Sequence, residues 1–190
     1  MPSPSPTGAA QPDAGGRLVL LCGRSFSGKS TAAGWLQQSL PARVISLDAL
    51  NAERGLAGGQ GIPLREWART NDEAVRRAGA ALREGATVVV DDTASPRFLR
   101  DGWRGVAEQT GSAFVLVFLD TSPATVRARL LRNRDAAERP DVVDAVMADH
   151  LASFEAPEAD EAAVTLDGED LTREVLLTSV RRALDGQRPG

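Results

Sequence analysis

Gly23-Arg24-Ser25-Phe26-Ser27-Gly28-Lys29-Ser30 is a complete match to the pattern GxxxxGK[ST], and its neighbours are the ones that pattern needs. Residues 17–22 before it read as a short buried strand ending Leu-Val-Leu-Leu-Cys, and residues 31–40 after it read as a helix stopped by Pro41. A strand that turns through glycines into a helix offers a nest of backbone N–H groups and the positive end of the helix to an anion. The chain is thereby committed to an α/β unit built around phosphate.

Lys29 is the single lysine among 22 basic residues; arginine is used everywhere else. A compact ammonium on a thin stem fits between phosphates where a planar guanidinium fits badly, so this cation is read as catalytic, on the outer phosphates of ATP. Gly23, Ser25, Phe26, Ser27, Gly28, Ser30 and Thr31 are assigned with it to the nucleotide, and the Ser30 hydroxyl to Mg²⁺.

The remaining pattern alternates. Residues 43–47, 86–90, 113–119 and 162–166 read as four more short apolar strands. Helices are expected over 64–83, over 96–109 with Ser95 as cap and Pro96 first, from Ser122-Pro123 to about 132, over 141–154 and over 171–184. Strand and helix in alternation mean a parallel sheet. One domain over 17–185 is expected, flanked by a disordered Pro-, Ser-, Gly- and Ala-rich tail at 1–16 and a frayed end at 186–190.

Composition narrows the function. A net charge of −4 without a dense basic run makes nucleic acid a less favoured partner than a small-molecule acceptor. One cysteine, Cys22, permits no disulfide framework or zinc cluster and fits a reducing cytoplasm. No apolar run reaches membrane-spanning length, and the first residues lack the basic start and apolar stretch of a signal peptide.

In an open parallel sheet the ligand lies beyond the carboxyl ends of the strands. Asp48 follows the second strand and is read as the base that takes the proton of the attacking hydroxyl; the alternative is a cap on a short helix through Asn51 and Glu53. Asp91 and Asp92 follow Val88-Val89-Val90; Asp91 is assigned to the metal and Asp92 to capping or support. Arg127, Arg129, Arg132, Arg134 and Arg139 form a cluster read as a phosphate-binding lid, with Arg129 on the nucleotide and Arg132 and Arg134 catalytic. Residues 55–61 hold four glycines in seven and suit either a flap over the acceptor or a plain connector. His150, spaced four from Val146 and four from Phe154, reads as part of an apolar helical stripe rather than as a catalyst, and Trp35, Trp67 and Trp103 as packing or a partial acceptor wall.

The segments Leu-Cys-Gly-Arg-Ser-Phe-Ser-Gly-Lys-Ser-Thr from Leu21, Ile-Ser-Leu-Asp from Ile45, Val-Val-Val-Asp-Asp-Thr from Val88, Arg-Asn-Arg from Arg132 and Phe-Glu-Ala-Pro from Phe154 resemble the phosphate-loop kinase group of polynucleotide-kinase-like, zeta-toxin-like and chloramphenicol-phosphotransferase-like enzymes. The resemblance covers residues 17–160. It implies a three-layer P-loop NTPase fold with a five-stranded parallel sheet in the order 2-3-1-4-5 and a helical lid. It also implies the acceptor-activating aspartate at Asp48, the Asp-x-Thr strand end at Asp91 and Thr93, and lid arginines at Arg132 and Arg134. Two positions depart from that group: Asn51 stands where polynucleotide kinases place an arginine, and Ala94 where an asparagine is usual. Asn51, Arg54, Thr93 and Arg100 are expected at the acceptor with Asp48, the two arginines as partners for an acidic or phosphate-bearing one. The expected activity is transfer of the ATP γ-phosphate to a hydroxyl of an antibiotic, sugar or nucleoside. A polynucleotide 5′-hydroxyl kinase and a non-enzymatic ATP switch are the alternatives; a guanine-reading switch lacks its lysine.

Overall fold

The computed structural model describes residues 15–56, 61–136 and 142–187. Strands rich in Val and Leu with no polar alternation need cover on both faces. Five of them, β1 (Arg17–Cys22), β2 (Ala42–Ser46), β3 (Thr87–Asp91), β4 (Ala113–Asp120) and β5 (Val164–Asp167), form one parallel sheet in the order β2-β3-β1-β4-β5. This is the order expected from the resemblance. Between and after them run α1 (Lys29–Ser39), α2 (Leu47–Glu53), α3 (Leu64–Arg83), α4 (Arg97–Gln109), α5 (Pro123–Ala136), α6 (Asp144–Ala152) and α7 (Arg173–Asp185).

Successive strand residues point to opposite faces, so β1 divides the core in two. Leu18, Leu20 and Cys22 pack with Val88, Val90 and Leu116 under α3 and α4, through Ala74, Ala78, Leu82 and Trp103. Val19 and Leu21 pack with Val89, Val115 and Val117 under α1 and α7, through Ala32, Leu36, Leu176 and Val180. A third, small cluster of Val126, Leu130 and Met147 joins α5 to α6, and the loop residue Phe26 packs against it.

Local chemistry sets the ends of the helices. Leu40, held extended by the proline that follows it, stops α1 (φ −123°, ψ 146°). Ser46 caps α2 by accepting from Ala49 N at 3.3 Å, so Asp48 lies in the first turn and is not the cap. At α4 the expected cap fails: the helix begins at Arg97 with Pro96 extended before it, and Ser95 Oγ instead accepts from Glu155 N at 3.0 Å. That contact belongs to a segment after α6 that folds back on α4. There Phe154 stacks on Phe118 with ring centroids 6.0 Å apart, and Glu161 ends a short 3₁₀ turn (Ala159–Glu161) facing Arg100. α5 extends to Ala136, one turn beyond its expected end. His150 is exposed, while Met147 on the same helix supplies the buried contact, so the histidine does not share the apolar stripe.

Candidate active site

The carboxyl ends of β1, β2, β3 and β4 meet at the turn between β1 and α1. Gly28 holds that turn at φ 105°, a conformation a side chain resists, and stands at the start of α1 with no side-chain cap and no acidic residue in the first turn. The first N–H groups of the helix are therefore presented to the loop. Lys29 is only 8% exposed, and its ammonium donates to Gly23 O at 2.8 Å and Arg24 O at 2.7 Å, spanning the loop. Gly23 N donates to Thr93 O at 3.2 Å, which ties the loop to the end of β3 and places Thr93 against it through its backbone. Ser30 and Thr31 are exposed in the first turn of α1, and Ser25 is half-buried in the loop. Phe26 takes a left-handed φ of 61° and turns its ring to the lid cluster of α5 and α6, so it docks the lid.

The turn after β5, which completes one wall of the site, lay outside the sequence reading. The Arg129 guanidinium donates to Phe26 O at 3.2 Å, Ser27 O at 3.0 Å and Gly168 O at 2.7 Å, pinning α5 to both the loop and the turn after β5. Thr121 Oγ1 donates to Ser27 O at 3.3 Å, and a Cβ on Gly168 would collide with that hydroxyl and crowd Ser27 O. The backbone at residue 168 has to approach the loop closely. Phe26, Trp35, Arg129, Glu169 and Leu171 then enclose a cavity of about 240 Å³ beside Thr31 and Gly28. Asp167-Gly168 stands at the end of β5, and the strand-end rule that selected Asp48 and Asp91 was the signal for this turn.

On the other side of Lys29 the carboxylates gather. Asp48 is exposed. Burial pushes the Asp92 carboxyl up; its acceptance from Thr93 N at 2.7 Å and the field of Lys29 pull it back, and the charge of Asp48 raises it again. Asp92 thus sits within electrostatic reach of both Lys29 and Asp48, and it is no helix cap. Asp91 ends β3 opposite Leu21 and Ser46, on the strand face that Val89 shares with α1.

Three residues expected at the acceptor are engaged within the protein. Arg100 is 1% exposed and forms a two-pronged pair with Glu161 at 2.6 and 2.7 Å, with further donation to the carbonyls of Ala94, Ser95 and Glu155. A buried guanidinium needs such partners. Asn51, 1% exposed, accepts from Thr70 Oγ1 at 2.6 Å between α2 and α3. Arg54 is engaged by Glu66 at 2.5 Å, by Glu66 O at 2.7 Å and by Thr70 Oγ1. In the lid, Arg134 is drawn to Val142 O at 2.8 Å and Asp144 at 2.7 Å, whereas Arg127 and Arg132 are exposed. Arg139 and the flap residues 57–60 lie outside the described residues. Trp103 is core, and Trp67 packs partly buried against it.

Residues 18–157 match the AAA domain family. The adenylyl-sulfate kinase of Klebsiella pneumoniae subsp. pneumoniae is 33% identical over 169 residues, spanning 82% of this chain and 77% of that one. Among solved structures, a gluconokinase from Sinorhizobium meliloti 1021 superposes with a TM-score of 0.62 at 24% identity, over 91% of this chain and 92% of the other. The Mycobacterium tuberculosis APS kinase in complex with AMPPNP and APS superposes with a TM-score of 0.64 at 22% identity, over 90% and 99%. These two likenesses concern the fold. The complete phosphate loop, the strand order and the match over residues 18–157 agree: the chain belongs to the AAA domain family and is a phosphate-loop kinase.

Proposed function

We propose that the chain moves the γ-phosphate of ATP to a hydroxyl of a small molecule, with Asp48 as the base. The observation that carries this reading is the freedom of Asp48. Ser46 takes over the cap of α2, leaving the Asp48 carboxylate exposed at the end of β2 and close enough to Asp92, itself beside Lys29, to raise its carboxyl. Phosphoryl transfer needs little covalent chemistry from the protein: it needs the attacking oxygen aligned, its proton accepted late, and the charge of the transferred group neutralised.

In this reading the Lys29 ammonium exchanges the Gly23 and Arg24 carbonyls for phosphate oxygens, so the loop is already shaped when nucleotide arrives. The amide end of α1 holds the inner phosphates, Asp48 Oδ takes the hydroxyl proton, and exposed Arg132 approaches the transferred group from α5. Ser30 with Asp91 or Asp92 is a hard-oxygen donor set suited to Mg²⁺, which keeps most of its ligands as water and phosphate. When bound it would neutralise charge between the outer phosphates. Among the described residues no helix is long and apolar enough to cross a membrane; a cytoplasmic site of action and a single kinase domain over 17–185 belong to the same proposal.

Incubation with γ-labelled ATP, Mg²⁺ and fractionated metabolites, followed by mass spectrometry, identifies what gains a phosphate. Asp48→Asn should lower transfer by about 10²–10⁴ while ADP binding is retained. Transfer that persists at the wild-type rate in that variant would remove Asp48 from the mechanism.

A further inference from the structure

We infer that the nucleotide site accepts triphosphates of more than one base, because its cavity grips the ring by its faces and leaves little to read its edge. The inference rests on the phosphate-donor reading above. Strong discrimination between similar ligands requires buried polar groups that only the right ligand satisfies; a wall already satisfied within the protein penalises no base for what it lacks. Arg129 and Glu169 in the cavity beside the phosphate loop are engaged in this way, while the buried Ser27 Oγ, without a partner among the described residues, lies against Gly23 inside the loop.

Its cation, Arg129, has its guanidinium fixed by the carbonyls of Phe26, Ser27 and Gly168. Held there it can offer its face to any π system while Nη1 and Nη2 donate to those carbonyls. Its carboxylate, Glu169, accepts from Ser122 N at 3.2 Å, and hydrogen bonds from Ser122 and Thr125 hold its pKa below the usual range. What accepting capacity remains would suit an exocyclic amine, which adenine, guanine and cytosine all carry. At the turn after β5, Gly168 N donates to Asp120 O at 2.8 Å and Glu169 N to Asp167 at 2.8 Å, so these two amides are engaged as well. Phe26, Trp35 and Leu171 add ring and hydrocarbon to the wall. Thr31 sits two residues past Lys29 in the first turn of α1, on the phosphate side. Trp35, one helical turn farther along α1, brings the largest of these surfaces, and an aromatic platform is tolerant of base identity.

Titration calorimetry of the wild-type chain with ADP, GDP, CDP and UDP in Mg²⁺ tests this without any acceptor. Dissociation constants for ADP and GDP within about tenfold of each other are expected, with the pyrimidines weaker because they offer less ring to stack. Trp35→Ala should weaken both purine nucleotides by about tenfold and leave their ratio unchanged, and Trp35→Phe should recover most of the loss. ADP bound more than about a hundredfold tighter than GDP overturns the inference and leaves the donor site intact. A Trp35→Ala ratio altered by more than about tenfold overturns it too, since the indole would then be reading the base. If no diphosphate binds, or if Lys29→Ala binds ADP as wild type does, the donor reading itself fails and this inference falls with it.

Discussion

The loop side of this site and its α2–α3 side are built from different materials. Around the loop, the contacts run mostly to backbone: Lys29 to two carbonyls, Arg129 to three, Thr121 to Ser27 O, and Gly23 N to Thr93 O. Around α2 and the start of α3 they run largely between side chains: Asn51 with Thr70, Arg54 with Glu66 and Thr70. Backbone geometry is demanded by a few glycines and one motif, so it survives changes elsewhere. A side-chain network can be rewritten at each position.

The sharpest way to break this comparison is at Arg100. If it is structural, Arg100→Met should destabilise the chain by about 3–5 kcal/mol, read as a loss of urea midpoint, because Glu161 would be left buried and unpaired. Arg100→Met with Glu161→Leu should regain most of that, with the KM for an identified acceptor unchanged. A raised KM at undiminished stability would return Arg100 to the acceptor.

Gly168→Ala probes the loop side. A methyl pressed against Thr121 Oγ1 and Ser27 O has to move the turn after β5 away from the loop, at about 1–3 kcal/mol. ADP affinity should fall by about tenfold to a hundredfold, read by calorimetry, while acceptor affinity is unaffected. An unchanged ADP affinity would mean that the turn does not form the nucleotide wall.

Asp92 gives a smaller and pH-dependent effect. Burial raises its carboxyl in the folded chain, so that above the ordinary aspartate range the folded state keeps a proton the unfolded state has lost. Stability from this group is therefore lost as pH rises from that range through the folded value. Asp92→Asn removes the loss, so its urea midpoint should gain on wild type as pH rises across that interval and then hold its lead. A gain that shrinks with pH has the wrong sign for a buried carboxyl. Smallest is His150→Ala at an exposed position, expected within about 0.5 kcal/mol of wild type by thermal melt.

The strands and the loop were legible because apolar runs without alternation need cover on both faces and the glycine motif admits one turn; the strand order came from the family resemblance. The corrections share a cause. Ser95 reads locally as a cap, but its hydroxyl is taken by Glu155, sixty residues on. Arg100 reads as a surface cation until Glu161 is placed over it, and Arg54 reads as a free one until α3 brings up Glu66. Trp35 reads along the chain as packing or a partial acceptor wall; that it lines a cavity with Gly168 depends on the turn after β5 coming up to α1. Local spacing carries what neighbours along the chain decide; it is silent on which distant residue arrives first.

Arg24, the second residue of the loop, lies with its guanidinium 4.7 Å above the Phe154 ring, donates to Thr121 O at 3.3 Å and faces Asp120 at 3.7 Å. The loop is thus fitted on its outer side to a segment 130 positions later in the chain, beyond the lid. An engineer who lifts residues 23–30 into another scaffold takes the phosphate grip but leaves behind the ring on which Arg24 rests. To be portable, this loop has to travel as a two-piece cassette, with Phe154 as its second piece.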